Sequence, residues 1–141
     1  MTTHLWQHYQ YTKDKQFLKA VYPVIRGAAA FYKDILITEP SHHWLVTAPS
    51  NSPENAYILP DGRQGQTCMG PTMDMQIGRD LLNANIKAAG ILQTDKAWAD
   101  TLKQVLTQLA PDQVSPSTGG IQEWLEDYKE TEPHHRHVSP L

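Results

Sequence analysis

The sequence predicts an all-α protein built from αα-hairpins, with long loops and a small β-hairpin on one face. Apolar residues recur at helical spacing in four segments, and short turns join these segments in pairs. The links that follow each pair, at about residues 38–71 and 110–140, are long. Alternating short and long connections place the long links on the same face of a helical protein, so we expect a functional site there.

The first predicted hairpin joins a short helix to a long one. The short helix ends at about Tyr11, and the Thr-Lys-Asp triplet that follows supplies a break and a cap for a helix over about residues 15–36. Pro23 falls inside the apolar stripe of this long helix. Because proline removes a backbone hydrogen bond, we expect a kink rather than a division into two helices.

The second predicted hairpin repeats this arrangement. Pro71 opens a third helix over about residues 72–92, and Thr94-Asp95 caps a fourth helix over about residues 96–109. A helix, a short turn and a second amphipathic helix therefore occur twice. This pattern is typical of helices stacked in a solenoid or in a closed ring.

The stretch between the hairpins is rich in proline and glycine and also contains aromatic residues. Residues 44–47 and 57–59 have the composition of strands and are predicted to pair as a small hairpin. The loop between them carries one carboxylate, Glu54, directly after Pro53, which restricts the backbone. A carboxylic acid beside aromatic walls can serve as a general acid, and the alternative interpretation is a solvated surface turn.

Two later segments carry further candidate residues. Residues 121–125 are predicted as a short strand, in which Glu123 and Trp124 resemble part of a sugar-binding surface; an acidic edge strand with a partly buried tryptophan is the alternative. The tail contains a His-His-Arg-His run at residues 134–137. We predict no metal site there, because no carboxylate or cysteine has the spacing of a metal ligand and Arg136 would repel a cation.

Composition argues against several classes of function. The 141 residues are 40% hydrophobic and 19% charged, which is ordinary for a folded domain, and the formal net charge of −3 gives no electrostatic argument for nucleic acid or an anionic membrane surface. No apolar run approaches the roughly 20 residues that cross a bilayer. Cys68 is the only cysteine, so an internal disulfide and a cysteine-based zinc site are excluded. No cofactor motif is present.

Six segments carry a resemblance to a known family. In chain order they are HLWQHYQYT at 4–12, YP at 22–23 with AAAFY at 28–32, PSNSPEN at 49–55, PTMDMQ at 71–76, QEWLED at 122–127 and HRHVS at 135–139. In this order they resemble glycoside hydrolase family 95, which contains α-L-fucosidases and some α-L-galactosidases. The resemblance covers essentially the whole chain, and the PSNSPEN and HRHVS motifs are specific in combination.

The resemblance implies a partial (α/α)6 barrel and an inverting hydrolysis of terminal α-L-fucose or α-L-galactose from a glycan. Carried over by motif, Glu54 is the general acid that protonates the departing glycosidic oxygen. Arg136 and His137 contact the sugar, and Glu123 and Trp124 lie in a motif near the pocket, where we predict substrate-binding roles. We predict no cofactor, and the family is often periplasmic or secreted.

The resemblance also implies that residues 1–141 are a fragment of a single catalytic domain, truncated at both ends. The group that activates water, an Asn supported by an Asp, belongs to motifs before and after the matched region. We therefore expect the rest of the parent chain as a partner and an inactive isolated fragment. Two alternatives stay open: a non-catalytic helical module that binds carbohydrate or protein, and a related hydrolase that acts on another sugar.

Overall fold

The computed structural model describes residues 2–132, which form four helices and seven short strands. The helices are α1 (Thr2–Thr12), α2 (Lys15–Ile35), α3 (Thr72–Leu92) and α4 (Lys96–Gln108). The strands are β1 (Leu36–Thr38), β2 (Leu45–Thr47), β3 (Ser50–Asn51), β4 (Tyr57–Ile58), β5 (Gln64–Gly65), β6 (Thr67–Cys68) and β7 (Lys129–Glu130). The four predicted helices are confirmed, with boundaries within about a residue or two of those expected.

The described residues divide into two compact units. One unit, here called the helical unit, comprises residues 2–35 and 77–108. The other, the loop unit, comprises residues 36–76 and 109–132 and contains all seven strands. No helix in the described part of the chain is both long enough and apolar enough to cross a membrane.

The core of the helical unit draws residues from all four helices. Its buried members are Tyr9, Leu18, Tyr22, Ile25, Ala88, Ala89 and Ala99. Gly78 allows a close approach within this unit, because a Cβ atom built there would lie 2.0 Å from the ring of Tyr32. Helix α2 continues past Pro23 without interruption, so the prediction of one helix is confirmed; the kink stays a prediction.

The turn between α1 and α2 is formed mainly by the backbone. Lys13 has a left-handed backbone, with φ of 56°, and its N–H donates to the carbonyl of Tyr9 at 2.8 Å. Asp14 then caps α2, since its Oδ1 atom accepts the N–H groups of Gln16 and Phe17 at 2.8 and 3.0 Å. The predicted break and cap are therefore confirmed.

The turn between α3 and α4 follows the same logic. Gln93, with φ of 52°, donates its N–H to Gly90 at 3.3 Å, and Thr94 donates to Ala89 at 3.0 Å. These two bonds form a Schellman motif, which satisfies carbonyls at the end of a helix. The carboxylate of Asp95, predicted only as a cap, accepts hydrogen bonds from Tyr22 and Arg26 on α2 at 3.1 and 2.9 Å.

The predicted pairing of residues 44–47 with residues 57–59 is wrong. Strand β2 pairs with β1 instead, in antiparallel register, whereas β4 lies between β5 and β7. The reason is a local turn organised by Glu39, which is 2% exposed and whose carboxylate accepts the N–H groups of Ser41, His42 and Trp44. A partner a few residues away has a lower entropic cost of loop closure than one across the Glu54 loop.

The buried carboxylate of Glu39 is also electrostatically satisfied. Burial acts to raise its pKa, but the three backbone N–H donors outweigh burial, so the pKa lies below its ordinary value. The side chain therefore stays ionised near neutral pH and keeps the turn between β1 and β2 closed. Nothing in the sequence pattern singled out this glutamate.

The predicted strand at residues 121–125 is also wrong. Within it, Ile121 forms only an isolated bridge with Val114, because the backbone of the following residues bonds to the start of α3. Thr72 donates its Oγ1 hydrogen to the carbonyl of Gln122 at 2.6 Å and its N–H to the carbonyl of Glu123 at 3.0 Å. This segment is therefore fixed against a helix end rather than in a sheet.

Candidate functional site

Glu54 lies at the tip of the loop between β3 and β4, with its side chain exposed to solvent. Its backbone has a φ of 59°, in the left-handed region that residues other than glycine seldom adopt. Such a conformation costs about 1–3 kcal/mol and persists where the surroundings determine it. The neighbours of Glu54 therefore have to hold the backbone in place.

The residues that hold it are Ser52 and Asn55, which are 1% and 3% exposed. The hydroxyl of Ser52 donates to Oε1 of Glu123, and the amide of Asn55 donates to Oε2 of the same carboxylate at 2.8 Å. The Asn55 amide also contacts Glu130 at 3.2 Å. One buried carboxylate thus binds the chain on both sides of Glu54.

Glu123 is itself 6% exposed and belongs to the interior of the loop unit. A buried carboxylate is stable only when hydrogen-bond donors replace its hydration, and Ser52 and Asn55 supply two. The sequence predicted Glu123 as a substrate-binding residue. The structure places it beneath the Glu54 loop, in contact with the loop itself.

A second carboxylate, Asp74, fixes the chain that leads into this loop. It lies in the first turn of α3 and accepts hydrogen bonds from the hydroxyls of Thr47 and Ser50, both at 2.6 Å. Sequence reasoning assigned Asp74 no role, although an acid in the first turn of a helix and its place in the PTMDMQ segment were available signals.

Cys68 lies close to the carboxylates of Asp74 and Glu123, and its thiol has low reactivity. It is partly buried on β6, opposite Ser50. Burial raises the pKa of its thiol to about 11, and the nearby charges of Asp74 and Glu123 add to this effect. The thiol is therefore protonated near neutral pH, and a protonated thiol is a poor nucleophile.

An aromatic cluster follows the loop and lines a cleft of about 260 Å³ within the loop unit. Tyr57 stacks on Tyr128 with ring centroids 4.7 Å apart, and it meets Trp124 edge-on at 5.6 Å. Trp124 is only 2% exposed, so the sequence-based picture of an exposed tryptophan is wrong. The cleft also offers polar groups to a ligand, among them Glu126 and His42.

The remaining predicted site residues, Arg136 and His137, lie outside the described residues. Among residues 2–132, no group of three or more histidine, cysteine, aspartate or glutamate side chains is arranged to hold a metal ion. The described site thus consists of an exposed acid, a buried carboxylate that binds its loop, a partly buried carboxylate that binds the chain before the loop, and an adjoining aromatic cleft. An exposed carboxyl group on a fixed loop can transfer a proton to or from a bound molecule.

Comparison with known proteins adds the identity of the family. Residues 1–141 match the family model described as the glycosyl hydrolase family 95 catalytic domain. Alpha-L-fucosidase 2 of Arabidopsis thaliana is 37% identical over 143 residues, and the match covers 100% of this chain and 17% of that protein. Probable alpha-fucosidase A of Aspergillus niger is 30% identical over 147 residues, covering 100% of this chain and 18% of that protein.

The chain therefore spans less than a fifth of the length of these curated relatives. The family match extends over every residue and agrees with the resemblance carried by the six sequence segments. Four helices joined in hairpins, with small antiparallel strands, are the part of the fold that the described residues contain. The chain belongs to glycosyl hydrolase family 95, and it corresponds to part of that family's catalytic domain.

Proposed function

We propose that this chain forms the acid-bearing part of the catalytic domain of an inverting glycoside hydrolase, with Glu54 as general acid. The substrate is a glycan that ends in α-L-fucose or α-L-galactose; the names of the two fucosidase relatives support this sugar class. The observation that carries the proposal is the exposed Glu54, whose neighbours on both sides bind one buried carboxylate. A proton donor works best on a backbone that is already fixed.

In this mechanism Glu54 donates its proton to the glycosidic oxygen as the bond from that oxygen to the sugar breaks. A water molecule attacks the sugar from the opposite face and loses a proton to a second group, which completes hydrolysis with inversion. We propose that this second group, an Asn supported by an Asp, belongs to other segments of a longer domain of which residues 1–141 are one part. The curated relatives are several times longer than this chain, which is consistent with that division.

The proposal also assigns the residues that hold the sugar. Arg136 and His137, in the HRHVS segment, contact the sugar. Trp124 is among the residues that line the adjoining cleft, and because it is 2% exposed we propose that it serves sugar binding there by supporting the rings of Tyr57 and Tyr128. Replacing Arg136 by alanine should therefore raise KM more than it lowers kcat.

The decisive experiment replaces Glu54 by glutamine in a protein of the relatives' length that contains this chain. The glutamine side chain has nearly the same shape but has no acidic proton to donate, so kcat on phenyl α-L-fucoside should fall by at least about 100-fold. A chloronitrophenyl α-L-fucoside, whose leaving group departs without protonation, should retain most of its turnover. Steady-state kinetics on both substrates measure the difference.

The matched control for this variant is Asp34→Asn, which removes an exposed carboxylate in the helical unit, away from the Glu54 loop along the chain. It should leave the turnover of both substrates close to that of the unchanged protein. Near-normal hydrolysis of phenyl α-L-fucoside by Glu54→Gln would contradict the assignment. The preferred sugar is identified by the unchanged protein, from whether it hydrolyses an aryl α-L-fucoside or an aryl α-L-galactoside with the higher kcat/KM.

The cleft beside Tyr57 and Tyr128 supports a second candidate, a helical module that binds carbohydrate without hydrolysing it. Stacked rings next to a carboxylate are suited to the apolar face and the hydroxyl groups of a sugar. This candidate predicts that the 141-residue chain alone binds L-fucose in titration calorimetry and releases no product. If it is right, replacing Tyr128 by alanine should abolish that binding.

A further inference from the structure

We infer that Glu123 is a positioning residue, which directs the carboxyl group of Glu54 by holding Ser52 and Asn55. This inference rests on the proposed role of Glu54 as general acid. It assigns Glu123 a different task from the predicted contact with substrate, because the two carboxylate oxygens of Glu123 are bonded to the loop. A residue of this kind acts on the reaction through the geometry of another residue.

The first part of the argument is where the hydrogen bonds fall. Ser52 and Asn55 stand two residues before and one residue after Glu54, and each donates to a different oxygen of Glu123. The N–H of Asn55 also points back to the carbonyl of Ser52 at 3.5 Å, across the turn that carries Glu54. The ends of the turn are thus joined twice, once by backbone and once through the buried carboxylate.

The second part is the backbone of Glu54 itself. Its φ of 59° is unfavourable for a residue with a side chain, so this conformation persists only if other interactions enforce it. Pro53 and the long backbone bond from Asn55 to Ser52 shape the turn, and the side-chain bonds of Ser52 and Asn55 to Glu123 add a second constraint at both of its ends. Removing the bonds to Glu123 allows Glu54 to relax toward an ordinary backbone.

The third part is the cost of misplacement. A shift of about 1 Å in a catalytic group can reduce the rate by about 100-fold, since proton transfer needs the donor within hydrogen-bond reach of the oxygen. Loss of the Glu123 bonds should therefore slow only the step that needs the proton. Binding of the sugar, which depends on other residues, should change little.

The test uses Ser52→Ala and Glu123→Ala in the longer protein described above, each assayed with both aryl fucosides. Ser52→Ala removes one hydroxyl and one hydrogen bond. This variant therefore tests the inference even if Glu123→Ala fails to fold. We expect each variant to lower kcat on phenyl α-L-fucoside by about 10–100-fold and to change KM by less than about threefold. On chloronitrophenyl α-L-fucoside, kcat should stay within about threefold of the unchanged protein, because that leaving group needs no proton.

The matched control is Ser50→Ala, which removes an equal hydroxyl from the same part of the chain. Ser50 bonds to Asp74 instead of Glu123. Any change in kcat that Ser50→Ala causes should therefore be the same for both substrates. In a Glu54→Gln background, Ser52→Ala should cost almost nothing further on phenyl α-L-fucoside. Such non-additivity is expected of two residues that act as one unit.

Other results would overturn the inference. Equal losses of kcat on both fucosides would show that Glu123 only supports the fold of the loop unit. A rise in KM as the main effect would show that Glu123 binds substrate. Undiminished turnover would show that the loop holds Glu54 without these bonds. If Glu54→Gln itself hydrolyses phenyl α-L-fucoside normally, the proposed function fails first, and that result is distinct from all the others.

Discussion

The two hairpin turns of the helical unit and the Glu54 loop each hold a non-glycine residue in the left-handed region, but by different interactions. Lys13, Gln93 and Glu54 all have left-handed backbones and none is glycine. At Lys13 and Gln93, backbone bonds that cap a helix hold the conformation. At Glu54 the backbone bond from Asn55 to Ser52 is long, and the side chains of the same two residues add a second constraint by binding a buried carboxylate.

This difference separates structure that is determined locally from structure that is determined at a distance. A helix cap uses atoms within about five residues and needs no particular side chain beyond the turn. The loop depends on a glutamate 71 residues from Ser52 along the chain. Substitutions should therefore have local and modest effects at the hairpin turns and larger, cooperative effects at the loop.

The largest effect on stability should come from Glu123→Ala, which leaves the buried hydroxyl of Ser52 without its acceptor and the amide of Asn55 with its contact to Glu130. At about 1–3 kcal/mol for an unsatisfied buried group, and with a further loss at Asn55, the loop unit should lose roughly 3 kcal/mol. Hydrogen exchange of the amides at residues 52–58 should rise accordingly, whereas the amides of α1 and α2 serve as an internal control. Equal acceleration in both units would show that the loop has no separate anchor.

A smaller effect, specific to the helical unit, should appear at high pH through Tyr22. Burial, followed by the hydrogen bond to Asp95, raises its pKa from 10.0 to about 12. Since the folded pKa is above the unfolded one, the stabilisation is complete below about pH 10 and is lost as the pH rises towards 12, by about 2–3 kcal/mol in all. Denaturant unfolding measured across this range should show the loss.

Tyr22→Phe is the control for this pH dependence. It removes the titrating hydroxyl and should flatten the stability curve above pH 10, because phenylalanine binds no proton in either state. A curve that falls as steeply in the variant would assign the pH dependence to other groups.

The smallest effect should be a gain. Gln93→Gly keeps the backbone bonds of the Schellman motif and relieves the strain of a left-handed residue, so the helical unit should become more stable by about 0.5–1 kcal/mol. The shift in the midpoint of denaturant unfolding measures it. A loss of stability would mean that the Gln93 side chain contributes more than its backbone strain costs.

The sequence was sufficient for the helices and insufficient for the loop unit, for a physical reason. Apolar periodicity and end signals such as Asp14 act within a few residues, so α1 to α4 could be predicted nearly to their boundaries. Strands of two or three residues carry too little pattern, and their partners were assigned wrongly.

The site was predicted unevenly for a similar reason. The role of Glu54 stays a prediction that rests on its motif. The hydrogen bonds of Glu123 to Ser52 and Asn55 could not be predicted, since a bond between distant residues leaves no trace in local composition. Trp124 shows the same limit: a tryptophan among carboxylates predicts exposure, yet packing against Tyr57 and Tyr128 leaves it 2% exposed. The contribution of Arg136 and His137 stays a prediction.

The distance of Glu123 from Ser52 along the chain has a consequence for the order in which the protein matures. Helical hairpins are made of local contacts and can form as soon as their residues have been synthesised, whereas contacts between distant residues form later. Glu123 leaves the ribosome 71 residues after Ser52, once all four helices have been made. The Glu54 loop therefore acquires its buried anchor late, after the residues of all four helices have been synthesised.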